Sequence, residues 1–402
     1  MPVKGLPHYQ LLIINYQLLM HTPIPYGRQN ITQADIEAVT AVLQSDYLTQ
    51  GPAVNAFEND FAQYIGCRYA VAVANGTAAL HLAAMALGVN KQSKVLTTPI
   101  TFAASANCIL YCGGQVDFID IDRETYLIDL NKTEDSLKKG GYCGIVPVDF
   151  AGYPVHLDEL RYLADRYGCW VLEDACHAPG GYFTDSQGNK QHCGNSQFAE
   201  LAIFSFHPVK HIASGEGGMI CTNRRDLYEK LCMLRTHGIT KNPEKMARND
   251  GGWYYEMQEL GYNYRLPDIL AALGSSQLKR ADEGLNRRQA IAQTYLRAFE
   301  NAPIKTQQIP ADMCHAYHLF VVEVDDRKGL YDFLYKKNIY SQVHYIPVHT
   351  LPYYQSLGFA TGICPQAEDY YAHCLSLPMY PSLTAEQQAY VIEQVLAFVT
   401  EK

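Results

Sequence analysis

The spacing of apolar residues changes several times along the chain, and each change marks an element. In "ITQADIEAVTAVLQS" the apolar positions Ile31, Ile36, Val39, Val42 and Leu43 recur at helical spacing. "YAVAVAN" is a short apolar run that reads as a strand, and "GTAALHLAAMALGV" after it reads as a helix. The couple repeats as strand "KVLTTPI" and helix "FAASANCILYCG", then strands "QVDFIDI" and "CGIVPVDFAG". Helix "HLDELRYLADRYG" and strand "CWVLEDA" follow, and the run from Ala202 to Val209 closes on Lys210 and a glycine-rich turn. Strands alternating with helices predict an α/β fold, a mostly parallel central sheet flanked by helices. Ligands of such sheets bind beyond the carboxyl ends of the strands.

After about residue 270 the rhythm changes. "DILAALGSSQLKRADEGLNRRQAIAQTYLRAFEN" reads as one long or bent helix. Strand "AYHLFVVEV", helix "GLYDFLYKKN", strand "YSQVHYIP" and a helix from Ala385 complete a smaller α+β domain. The expected division is an N-terminal extension over 1–21, a large domain over 22–270 and a small C-terminal domain over 271–402. The extension, "MPVKGLPHYQLLIINYQLLMH", has an apolar patch broken by Asn15, Tyr16 and Gln17, with no A-x-A site after it. That patch is too short to span a bilayer, and an extra arm, or an upstream start before Met20, is the expected reading.

Composition narrows the function. The 402 residues are 48% apolar and 18% charged, enough for a large core and against disorder. Lysine and arginine number 32 against 41 acids, a net charge of −9, which argues against nucleic acid as a partner. The 12 cysteines include no C-x-x-C pair, so neither a metal site nor a redox motif is expected, and free thiols in a reducing cytoplasm are.

Four features fall at the carboxyl ends of predicted strands. "NGTAAL" places Gly76, Thr77 and Ala78 at a helix start, where free amides favour an anion such as phosphate, although Asn-Gly-Thr is also an ordinary cap. Phe102 in "TTPITFAASAN" can lie on a planar ring or simply fill the core. Glu173 and Asp174 end a very apolar strand, where a carboxylate needs a cation or serves as an N-cap, and His177 is one turn on. Lys210 ends an apolar run with Ser205 five residues earlier, and a desolvated lysine is a nucleophilic amine. A phosphate site, an aromatic plate, a buried acid and a buried lysine together suit pyridoxal phosphate (PLP).

"NGTAAL", "PITFAASAN", "EDACHAPGG", "FSFHPVKHIASGEGG", "RTHG" and "GYNYRLPDILAALGSSQL" follow the order and spacing of the DegT-type nucleotide-sugar aminotransferases, which the chain resembles over about residues 22–400. These are fold-type I PLP enzymes. "IPYGRQNI", "LTQGP" and "QVHYIPVH" look most like the branch that makes UDP-4-amino-4,6-dideoxy-N-acetyl-β-L-altrosamine in pseudaminic acid synthesis. The resemblance implies that Lys210 holds PLP as an imine, that Asp174 pairs with the pyridine nitrogen and that His177 sits near the ring on its 3-hydroxyl side. It implies Phe102 stacked on the ring and Thr77, Ala78 and Ser205 on the phosphate. Asn263 is expected to reach the phosphate in a neighbouring subunit, which implies a homodimer with shared sites, and Arg265, His344 and Tyr345 are candidates for substrate contacts. The implied reaction moves nitrogen from L-glutamate, leaving 2-oxoglutarate, to C4 of a UDP-linked 4-keto-6-deoxy sugar, with the cofactor cycling through pyridoxamine phosphate.

Two segments depart from the expected pattern. "YFTDSQGNKQHCGN" reads as a hairpin excursion, and "KNPEKMARNDGGWYYEMQELG" as a lid near the substrate. A sugar dehydratase on the same fold carries histidine in place of the lysine, so Lys210 speaks against it. A PLP-binding regulator is disfavoured by the intact lysine, aspartate and serine, and a nicotinamide dehydrogenase by the lack of a G-x-G-x-x-G turn after a strand.

Overall fold

The short apolar runs assemble into a seven-stranded sheet in a computed structural model that describes residues 22–400. The extension read at residues 1–21 lies outside the described residues. Across the sheet the order is Tyr69–Val73, Gly218–Thr222, Leu201–Ser205, Trp170–Asp174, Gly144–Val146, Lys94–Thr97 and Gln115–Phe118. Gly218–Thr222 is antiparallel to both neighbours, and the other pairings are parallel. Successive side chains alternate between faces. Val71, Leu172, Ile203 and Ile220 pack with the helices Gly76–Ala86 and Arg225–Leu234. Ala70, Ala202, Phe204 and Met219 pack with Phe57 and Phe61 of Pro52–Ile65 and Ala271 of Asp268–Leu278.

A second, antiparallel sheet of Lys305–Thr306, Phe320–Glu323 and Cys374–Leu377 builds the C-terminal part. Its core joins Phe320 and Val322 to Tyr295, Leu330, Leu334 and Val391 from three helices. Ile24 is buried in that same cluster, because Ile24–Pro25 pairs in parallel with Ile339–Tyr340.

Most expected elements are present, and three differences have physical causes. "YSQVHYIP" is not a strand beyond Ile339–Tyr340: the chain makes a lone bridge from Gln342 to Ser376, and Pro347 ends any ladder because it lacks an N–H. The long helix after residue 267 is two helices, Asp268–Leu278 and Ala281–Phe299. They part at Arg280, whose guanidinium turns to Asp35 Oδ2 at 2.8 Å and Asn30 O at 3.1 Å. Helices at Pro52–Ile65, Leu130–Lys138 and Arg225–Leu234 add to those read from the pattern. The first is marked by Pro52 at its start and by Gly66 at its end, where φ is 85°.

"YFTDSQGNKQHCGN" does form a hairpin, Tyr182–Thr184 against Lys190–His192. The segment after residue 240 is tied at its base by Ile239–Thr240 pairing with Glu256–Met257, and it presents an exposed Trp253. All twelve cysteines are free thiols, and among the described residues no helix is long and apolar enough to cross a membrane.

Candidate active site

The parallel strands end around one cavity of about 450 Å³, closed on its far side by residues of the C-terminal part. Thr77, Phe102, Asp174, His177, Ser205, Lys210, His344 and Tyr345, all singled out from the sequence, line it. Ala78, Asn263 and Arg265 do not.

One end of the cavity suits an anion. Asn75 caps the Gly76–Ala86 helix, its Oδ1 accepting the Ala78 amide at 2.8 Å. The first backbone bond of the helix runs from Ala79 N to Asn75 O at 3.0 Å, so the amides of Gly76 and Thr77 precede it and point outward. Ala78 therefore differs from its expected role: it is buried and its amide is already bonded to the cap. Ser205 packs directly on Gly76, where an added Cβ would lie 3.0 Å from Ser205 Cβ and 3.3 Å from its Oγ. Gly218 brings the antiparallel strand equally close, since a Cβ there would lie 2.4 Å from Asn75 O. Gly215, two residues before Gly217, takes φ of 86°, the left-handed turn that sends the chain back along the site.

The acid is held from two sides. Ser105 Oγ donates to Asp174 Oδ2 at 2.6 Å, and Cys176 N donates to Oδ1 at 3.2 Å. Thr101 Oγ1 lies 2.7 Å from Ser105 Oγ and completes a chain of hydroxyls. No helix starts at Asp174, so the N-cap reading of this residue fails. Sequence reasoning missed Ser105 and Thr101; their four-residue spacing at a helix start was the available signal.

Lys210 sits on a tight turn, its amide donating to His207 O at 2.8 Å. The side chain is half-buried and lines the cavity. Burial lowers its amine pKa, Arg288 adds to that, and Cys176 and Asp174 oppose it. Its Nζ lies 3.5 Å from His318 Nε2, a contact the sequence did not reveal.

His177 is buried, with Nδ1 accepting the Ala151 amide at 3.2 Å. That fixes the other nitrogen as the N–H, so Nε2 donates to Tyr345 Oη at 3.2 Å. Burial, then the charge of Lys210, depresses the pKa of His177 well below its ordinary value, which leaves the ring neutral. His344 bonds Ser376 Oγ through Nδ1 at 2.8 Å, and burial takes its pKa down to about 3. Phe102 is 63% exposed at the cavity, which removes the core reading for it. Tyr26, absent from the expected set, also lines the wall.

Asn263 is exposed and Arg265 half-buried on an edge that bridges Thr236 and Val73. Among the described residues no arginine lines this cavity, and the segment 240–258 gives it no side chain.

The DegT/DnrJ/EryC1/StrS aminotransferase family matches residues 29–396. The chain is 38% identical over 384 residues to the spore coat polysaccharide biosynthesis protein SpsC of Bacillus subtilis, covering 92% of this chain and 96% of that one. It is 36% identical over 383 residues to the UDP-4-amino-4,6-dideoxy-N-acetyl-beta-L-altrosamine transaminase of Campylobacter jejuni, covering 94% and 97%. Among solved structures, Helicobacter pylori PseC, an aminotransferase involved in the biosynthesis of pseudoaminic acid, superposes with a TM-score of 0.85 at 30% identity. That match covers 95% of this chain and 100% of the other.

Proposed function

The chain belongs to the DegT/DnrJ/EryC1/StrS aminotransferase family, whose members are PLP-dependent, and we propose that it aminates C4 of a UDP-linked 4-keto-6-deoxy-N-acetylhexosamine with L-glutamate as donor. The observation that carries this reading is the convergence of Lys210, Asp174 and the Gly76–Thr77 turn on one cavity. The relative named as a UDP-4-amino-4,6-dideoxy-N-acetyl-beta-L-altrosamine transaminase and the solved neighbour named for pseudoaminic acid biosynthesis support the choice of sugar.

The residues present fit pyridoxal phosphate. The Gly76 and Thr77 amides and Ser205 Oγ form an anion cradle that a Cβ at Gly76 would fill. Asp174 would meet the ring nitrogen, and Lys210 the reactive carbon. PLP bound there supplies an electron sink and a carbon that passes nitrogen from one substrate to the other.

The chain's own groups do the rest. Asp174, held by Ser105 and the Cys176 amide, keeps a proton on the group it faces. The lowered pKa of Lys210 favours a free amine, able to attack and then to take up and return a proton at Nζ. His177 orients Tyr345 through its Nε2–H and stays neutral itself. Phe102 covers one face of the cavity mouth. Asn263, exposed and away from this cavity, is assigned to the site of a second copy, with Arg265 beside it facing the substrate. His344 and Tyr345 are assigned to the sugar. The division into a cofactor-binding domain over 22–270, a smaller domain over 271–402 and a cytoplasmic location belong to the same proposal.

The test is product analysis. UDP-2-acetamido-2,6-dideoxy-4-keto sugars of both C5 configurations, offered with L-glutamate, should yield 2-oxoglutarate and a C4 amino sugar, fixed by mass and NMR. Amination of another keto sugar instead would move the chain to a different branch of the family. A 3-deoxy product, or no amino sugar from any keto substrate, would overturn the proposal.

A further inference from the structure

Two buried acids behind the site have no part in the reaction above. Glu173 precedes Asp174 on one strand, so it projects to the opposite face of the sheet. Asp149 follows the neighbouring strand, and the two chains are laced together at this level: Asp149 N donates to Asp174 O at 3.1 Å, and Asp174 N to Pro147 O at 2.9 Å. Asp149 is 0% and Glu173 1% exposed.

Each carboxyl spends one oxygen on a backbone amide. Val155 N donates to Asp149 Oδ1 at 2.9 Å, and Gly194 N to Glu173 Oε1 at 2.7 Å. The remaining oxygens, Asp149 Oδ2 and Glu173 Oε2, are buried with no donor. One ligand atom from each, with Cys193 Sγ, lies within 4.8 Å of the others. Two ionised carboxylates facing each other without donors would be costly in so dry a place. One proton between them removes the conflict, as in other carboxyl pairs.

We propose that Asp149 and Glu173 share one proton across these two oxygens, and that the pair is a positioning device that locks the strand ends carrying Asp174. The hairpin over 182–195 is part of the device. It delivers both the Gly194 amide and Cys193 to Glu173. Gly194 has φ of 80°, and a Cβ there would lie 2.1 Å from Phe204 Cζ, so the approach needs glycine.

The groups facing the pair are Cys193, Asp174, Cys176 and Cys221. Burial and the facing acids push the Cys193 thiol up, so it stays protonated rather than serving as a metal-binding thiolate. Burial, then the opposed carboxylate, raises Glu173 furthest, so the proton rests there and Asp149 accepts it.

The shared proton is tested on cofactor-free protein, so its outcome is independent of the aminotransferase reading; only the positioning of Asp174 rests on that reading. The infrared spectrum at neutral pH should show a carboxylic-acid C=O stretch that is lost in both E173Q and D149N. Each variant replaces the proton with an amide hydrogen and keeps the pair's charge. A group raised in the folded state stabilises fully below its unfolded pKa and loses that stability as pH rises. The unfolding constant of the wild type should therefore rise about tenfold more per pH unit than that of either variant between about pH 5 and 7. The buried histidines contribute equally to all three proteins and cancel in that difference.

For positioning, E173L should weaken PLP binding about tenfold or more, while E173Q restores it to within about threefold. A wild-type spectrum without the acid stretch would overturn the shared proton. So would one equivalent of bound metal that disappears in E173Q. Equal PLP binding by E173L and the wild type would overturn the positioning role alone.

Discussion

Ser105 shows how much a single hydroxyl carries here. It gives Asp174 Oδ2 a 2.6 Å hydrogen bond in a buried setting. Ser105→Ala strands that oxygen, at a cost of about 1.5–3 kcal/mol, so PLP affinity measured by equilibrium dialysis should fall about tenfold to a hundredfold. Gly76→Ala acts on the other end of the cavity. Its Cβ would meet Ser205 at 3.0 Å, and about 1 kcal/mol of overpacking should weaken PLP binding about fivefold in the same measurement. At this scale the sequence was informative where a residue's chemistry conflicts with its surroundings. Lys210 and Asp174 stand at the ends of apolar runs, and that conflict is visible in one dimension. Ser105 and His318 carry no such conflict. Their partners lie 69 and 108 residues away, and only the sheet order brings them together. Ala78 was misread because the Asn75 side chain competes for its amide.

At the scale of elements, the site depends on strands that stop at one level. Gly218 starts the antiparallel strand against Asn75, and Gly218→Ala would put a methyl 2.4 Å from Asn75 O. The clash involves backbone on both sides, so it should cost about 1–3 kcal/mol and lower Tm by a few degrees in calorimetry. Continuous apolar runs were legible where both faces of a strand are buried, as in Leu201–Ser205, and helical periods where one face is. They misled at "YSQVHYIP", whose alternation reflects Val343 and Tyr345 packing on the large core while His344 and Tyr345 reach the cavity. The split between Leu278 and Ala281 was likewise hidden, because the pull on Arg280 comes from Asp35, far back in the chain.

Across the whole molecule, burial lowers the pKa of several described histidines, most strongly His177, His211, His315, His318 and His344. Each has a folded pKa below the unfolded value of about 6.5, so each stabilises above that pH and loses this as pH falls. Cofactor-free protein should therefore lose up to about 1.4 kcal/mol of stability per histidine per pH unit between about pH 6.5 and 5, read as a steep fall in Tm. The proposed second copy is tested by mixing. N263A and K210A, each impaired alone, should regain activity as a mixed assembly, because one of its sites then has both Lys210 and the other chain's Asn263. No regain would place Asn263 in its own chain's site or outside any site. The most direct measurement of the central claim is peptide mapping of the PLP-loaded protein after borohydride reduction. Lys210 alone should carry the pyridoxyl label; a label on another lysine, or none, would contradict its role.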